Sequence, residues 1–155
     1  MRLTSYTDYA LRTLMFLALN RERLVTIGDI ADAHQIAKNH LTKVVHQLGM
    51  LGFVETVRGR SGGLRLGREP ADIRVGDVVR QTETDFYMAS CFDQEAPRCM
   101  YSSSCELKGA LARATHAYLE VLDGVTLAQM VAGQTAPQTA DGIAPIELHF
   151  SRASA

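Results

Sequence analysis

The span "TIGDIADAHQIAKNHLTKVVHQLGMLGFVETVRGRSGGLRLG", residues 26–67, restricts the fold more than any other part of the chain. Thr26 suits an N-cap, with Asp29 three positions on in a capping-box-like arrangement. Ile27, Ile30, Ala31 and Ala33 give the short helix that follows its apolar positions. A longer helix over 37–52 comes almost at once, with Leu41, Val44, Val45, Leu48 and Leu51 as its buried stripe. Lys38, Asn39, Lys43, His46 and Gln47 fall mostly on its other face. A short helix, a tight turn and a longer amphipathic helix with a basic outer face is the pattern of a helix-turn-helix. Directly behind it, Phe53, Val54 and Val57 suit a strand, Gly62-Gly63 a turn, and Leu64 and Leu66 alternate with Arg65 on a return strand. A hairpin in that place is a wing.

Charge supports a polyanionic partner. The chain has a net charge of −1, but residues 1–68 carry ten Lys/Arg against five Asp/Glu, and residues 69–155 carry six against twelve. The span 36–68 holds six Lys/Arg against Glu55 alone. Its tip reads "RGRSGG", with Arg58 and Arg60 on either side of a glycine. Arginines on a narrow glycine-rich tip suit a minor groove, where A·T-rich DNA has enhanced negative potential. Double-stranded operator DNA is the predicted partner. Lys38, Asn39, His40 and Lys43 are expected near the reading end of the recognition helix, with Arg58 and Arg60 on the flanks.

The flanking sequence is helical. "TDYALRTLMFLALN" (7–20) has Ala10, Leu14, Leu17 and Ala18 at helical spacing, and "PADIRVGDVVRQTE" enters a helix with Val75, Val78 and Val79 on one face. A long helix over 106–124 ends at Gly124, and "TLAQMVAG" adds a short last one. In the long helix Leu107, Leu111, Ala114, Tyr118, Val121 and Val125 are spaced 4-3-4-3-4. That is heptad spacing, in a run short enough to serve equally as a core-facing helix or a homodimer seam. A seam is attractive because winged helices usually read DNA in pairs.

All three cysteines, Cys91, Cys99 and Cys105, lie within one irregular stretch of fifteen residues, "CFDQEAPRCMYSSSC". The longest apolar run, Leu14 to Leu19, is far short of a membrane span, and Asp8 and Arg12 interrupt the N-terminal apolar stretch that a signal peptide would need. A cytoplasmic chain is therefore expected, and in a reducing compartment clustered cysteines point to metal binding or redox activity. Zinc, a reversible thiol switch and an iron–sulfur cluster all remain open on these residues alone. Asp8, in the first turn of a helix, is accounted for by the helix macrodipole. No phosphate-binding glycine loop or acid/base constellation appears, and the five histidines are scattered, so no catalytic residue and no enzyme is expected.

Taken together, "MRLTSYTDYALRTLMFLA", "HLTKVVHQLGMLGFV", "RGRSGGLRL" and the three-cysteine loop before a long helix resemble the Rrf-type winged-helix iron–sulfur regulators, and most of all the nitric-oxide-sensing repressors among them. The likeness covers about residues 1–132. It implies that Cys91, Cys99 and Cys105 ligate a cluster, 4Fe-4S favoured over 2Fe-2S, that the long helix forms the homodimer, and that cluster state controls DNA affinity. A cluster of four irons needs four ligands. Sister regulators of iron–sulfur homeostasis use a histidine soon after the third cysteine, where this chain reads "CELKG", with Lys108. The resemblance instead implies Asp8, supplied by the partner subunit, as the fourth ligand, with nitric oxide as effector.

The expectation is thus a mainly α chain. Residues 1–85 form a winged helix-turn-helix DNA-binding domain with a two-stranded wing, and 86–105 a cysteine-containing cluster-binding loop. Residues 106–132 hold the long C-terminal dimerisation helix and a short following helix, and 133–155 a flexible tail.

Overall fold

The structure is a computed structural model and describes residues 2–95, 99–101 and 105–134. The described residues form helices α1 (Ser5–Leu19), α2 (Ile27–His34) and α3 (Lys38–Met50), strands β1 (Val54–Val57) and β2 (Gly63–Leu66), then helices α4 (Val75–Thr82), α5 (Glu106–Asp123) and α6 (Leu127–Val131). Single 3-10 turns lie at Pro70–Asp72 and Ser90–Phe92. The mainly helical architecture with a two-stranded wing is the one the sequence predicts. The tail expected from 133 lies, from 135 onward, outside the described residues.

Local chemistry explains the helix-turn-helix. The capping box forms in full: Thr26 Oγ1 accepts the Asp29 N–H at 3.1 Å, and the Asp29 carboxylate accepts the Thr26 N–H at 3.0 Å. That backbone bond, reinforced by Arg23 at 2.8 Å, holds the Asp29 carboxyl below its usual pKa. α2 stops because Gln35 turns left-handed, with φ of 53°. The turn drops Ile36 into the core and lets α3 leave at once in a new direction. Leu41, Val44, Val45 and Leu48 are the buried stripe of α3, as its periodicity predicts.

The wing strands pair antiparallel, Val54 with Leu66 through Val57 with Gly63. A contact from far upstream extends them: Val25 N–H donates to the Leu64 carbonyl at 3.0 Å, and Leu64 N–H to the Val25 carbonyl at 2.7 Å. The Val25 carbonyl approaches so closely that a Cβ at position 63 would lie 2.9 Å from it, so this position takes only glycine without a shift.

α1 is the spine. Thr4 caps it, and Ala10, Leu14, Phe16 and Leu17 bury against a core built from α2, α3, β2 and α6. Leu127 of α6 is 1% exposed within this same core. α4 packs between α1 and α5. Arg80 grips the Asp123 carboxylate with two bonds of 2.5 and 2.7 Å, and Arg74 donates to the Asp123 carbonyl at 2.8 Å. The Arg80 bond and the charge of both arginines hold that carboxyl below its usual pKa. Gly76 makes the approach possible, since a Cβ there would run into the Asp123 carboxylate.

α5 buries none of its residues fully. Leu111, Tyr118, Leu119 and Leu122 are half-buried, whereas Leu107, Ala110, Ala114, Ala117 and Val121 are exposed, the first 66% and the last 68%. The exposed set is spaced 3-4-3-4, a heptad stripe of its own. The single stripe predicted from sequence is therefore divided. Leu107, Ala114 and Val121 face out, and Leu111 and Tyr118 turn inward.

Candidate functional site

The outer face of α3 presents Lys38, Asn39, His40 and Lys43, all exposed, with Thr42 and His46 among them. The helix begins at Ala37 with no side-chain cap. Its first amides are therefore free for an external acceptor such as a phosphate. The structure sorts the six cations of residues 36–68. Arg65 is occupied by a bidentate pair with Glu55, its cross-strand neighbour, at 2.9 and 3.0 Å. Arg68 lies over the Phe53 ring at 4.8 Å and donates to the Leu51 carbonyl at 2.8 Å. Lys38, Lys43, Arg58 and Arg60 have no ion pair among the described residues. These four are the cations predicted to meet DNA.

Arg58 and Arg60 stand on the exposed tip between β1 and β2, separated by Gly59 at φ of 121°. Arg60→Ala is expected to weaken duplex binding severalfold and to flatten the slope of log affinity against log salt by about one. Fluorescence anisotropy over a salt series measures both quantities, and an unchanged slope would refute a phosphate-contacting role.

Sequence reasoning missed the residues that hold this face in place. The Tyr9 ring tilts against His40 with centroids 6.2 Å apart, and the Tyr6 hydroxyl lies 3.3 Å from the Lys43 carbonyl. Both tyrosines come from α1, three residues apart in "SYTDYA", the spacing that puts two side chains on one helix face.

The cysteines occupy the connection from α4 to α5. Cys91 sits in the turn Ser90–Phe92, Cys99 is exposed, and Cys105 caps α5, its Sγ accepting the Lys108 N–H at 3.4 Å. The Lys108 ammonium lies 5.7 Å from the centroid of Phe92, the neighbour of Cys91. The first turn of α5 thus touches two of the three cysteine sites. All three thiols are free. Among the described residues no three His, Cys, Asp or Glu side chains converge as a metal site; residues 96–98 and 102–104 lie outside that set.

Asp8 is elsewhere, on α1. Its carboxylate is 44% exposed and paired with Arg12, one turn on, at 3.0 Å. His34 packs edge-on to Phe16 nearby, and burial, then the Arg12 charge, lower its imidazole pKa. Among the described residues Asp8 joins no metal-binding cluster with the cysteines of its own chain.

Comparison with known proteins decides the family. The Rrf2 family profile, described as an iron-dependent transcriptional regulator, matches residues 3–133. This chain belongs to the Rrf2 family. It is similar to the HTH-type transcriptional regulator NsrR of Bacillus licheniformis, 53% identical over 135 residues that cover 86% of this chain and 94% of the relative. The NsrR of Bacillus subtilis is 53% identical over 132 residues, covering 84% and 90%. Among solved structures, T. potens IscR superposes with a TM-score of 0.71 at 27% identity, covering 92% of this chain and 94% of that one. CymR of B. subtilis gives 0.70 at 26% identity, covering 85% and 97%.

As an Rrf2 protein the chain is a DNA-binding transcriptional regulator and no enzyme. The structure supplies the corresponding reading helix and wing. No helix among the described residues is long and apolar enough to cross a membrane.

Proposed function

We propose that this Rrf2 protein is a homodimeric repressor that senses nitric oxide through an iron–sulfur cluster held by Cys91, Cys99 and Cys105. The observation that carries this reading is the placement of the chain's only three cysteines, all unpaired and at least partly accessible, on the segment that enters α5. Three soft thiolates suit iron–sulfur ligation. They leave a four-iron cluster one ligand short within the chain. The resemblance of the sequence motifs to nitric-oxide-sensing regulators implies Asp8 of the partner subunit as the fourth, and 4Fe-4S as the cluster. When bound, such a cluster supplies iron that reacts with nitric oxide.

The chain's own residues do the rest. Asp8 would then have two alternative partners: the cluster held by the other subunit, or Arg12 one turn along its own helix, with which it pairs at 3.0 Å. A carboxylate engaged across the dimer fixes α1, and α1 carries Tyr6 and Tyr9 against the recognition helix. A carboxylate returned to Arg12 leaves α1 untethered. Two reading heads held at one spacing fit two operator half-sites; two untethered heads do not. The effector acts only through this difference between states.

The test is an absorption spectrum of protein purified without oxygen, followed by titration with nitric oxide while duplex binding is recorded. A brown protein absorbing broadly around 400 nm that bleaches and releases DNA is expected. A colourless, zinc-containing protein that still binds DNA would end the nitric-oxide reading and keep the regulator. In the same assay Asp8→Ala should bind the operator more weakly than the wild type, and nitric oxide should change that binding little. Wild-type affinity with a wild-type response would sink the tether across the dimer.

A further inference from the structure

We infer that Gln47 is a positioning residue for sequence reading: it fixes the angle of the recognition helix by joining α1, α3 and α4 at one point. The inference rests on the DNA-reading role of α3. Gln47 falls on the polar side of that helix in the sequence, beside Lys43 and His46, yet it is half-buried and turned toward the body of the protein. Its Nε2 donates to the Gln81 carbonyl at 3.1 Å, and its Oε1 lies 3.4 Å from the Tyr6 hydroxyl. One amide therefore serves as donor toward α4 and acceptor toward α1.

Both partners have a reason to be there. Gln81 is one residue from the end of α4, where helix carbonyls have no partner within the helix and must find one outside. Tyr6 has its ring packed against the core and its hydroxyl at the edge, and burial raises its pKa. That hydroxyl also lies 3.3 Å from the Lys43 carbonyl, so its one proton is shared along the turn that carries a predicted DNA-contacting side chain. The same end of α4 is fastened to the start of α1: Thr4 N–H and Oγ1 both donate to Glu83, at 2.8 and 3.1 Å. The last turn of α4 thus anchors both helices that determine where Lys38, Asn39, His40 and Lys43 stand.

None of these groups is free to touch DNA bases while it holds this junction, so their effect must pass through helix position. A small tilt of α3 leaves phosphate attraction nearly intact, because charge acts over several ångströms. It spoils base-edge hydrogen bonds, which do not tolerate such shifts. Gln47 should therefore govern the ratio of specific to non-specific affinity.

The probe is the best duplex that the wild-type chain, purified without oxygen, recovers from a random-sequence pool, set against a scrambled duplex of equal length. Gln47→Leu is expected to lower the selected-to-scrambled affinity ratio by about five- to tenfold, the worth of ordinary hydrogen bonds, while scrambled binding stays unchanged. Tyr6→Phe, which removes a single oxygen, should move the ratio the same way by less. It decides the matter if Gln47→Leu fails to fold. An unchanged ratio, or parallel loss on both duplexes, would overturn the inference. A wild-type chain that selects no sequence would overturn the DNA-reading role along with it.

Discussion

Placing glutamate at both Ala114 and Val121 is expected to leave a folded monomer whose affinity for a two-half-site operator is lower by about a hundredfold or more. Both positions lie on the exposed heptad stripe of α5, and neither contributes to the core. Removing them therefore costs little in the isolated subunit. In a dimer that sheathes this stripe, four carboxylates would be forced into an apolar seam, at several kcal/mol for charges that lack partners. In such a dimer the three central alanines of the stripe would let two helices approach closely, and the flanking Leu107 and Val121, both exposed, would supply apolar area. Sedimentation velocity reads the association state directly. A dimer of wild-type stability would show that the two copies meet elsewhere.

The second large effect is expected from Cys105→Ala. In the proposed cluster site Cys105 is one of the three thiolates, and it also ends the loop at the first turn of α5, where its sulfur accepts the Lys108 N–H. Removing the side chain takes away one of three thiolates and a helix cap together. Protein prepared without oxygen should retain about a tenth or less of the wild-type iron, since losing even an outer contact to a ligand commonly costs a metal site 10–100-fold. Nitric oxide should then no longer change DNA binding. Iron and acid-labile sulfide, counted per chain, give the result. Wild-type iron content would remove Cys105 from the ligand set.

The parts of this fold that could be read from sequence are those where the signal is local. The capping box of Thr26 and Asp29 and the stripe on α3 each announce themselves within a few residues and form as expected; the wing forms too, but Gly63 begins its return strand opposite Val57 instead of sharing the turn with Gly62. What stayed hidden depends on distant partners. The sequence sets Arg58 and Arg60 apart only by their place on the glycine-rich tip, and it gives no sign that Arg65 and Arg68 are engaged. Only the pairing with Glu55 and the stacking on Phe53 withdraw them from the charged surface. Gln47 reads as an outward polar residue because Tyr6 and Gln81, its partners, lie 41 and 34 residues away. α5 misleads in another way: it is apolar on two faces, so a single heptad stripe drawn through it mixes half-buried residues with residues that are exposed among the described residues. The cysteines were recognisable by their clustering, but their mutual geometry depends on a segment that is partly outside the described residues.

The central place of α1 bears on how the protein is made. Its apolar face is covered by α3, α4 and α6, and α6 ends at Val131. At a synthesis rate of about 5–20 residues per second, α1 leaves the ribosome on the order of ten seconds before the last of these partners exists. During that interval α3 and α4 can already cover part of the α1 face that carries Ala10, Leu14 and Leu17, but the part that α6 covers stays open. Full enclosure of α1 therefore waits for a helix more than a hundred residues downstream, and synthesis that stops short of Val131 leaves part of the apolar spine in water.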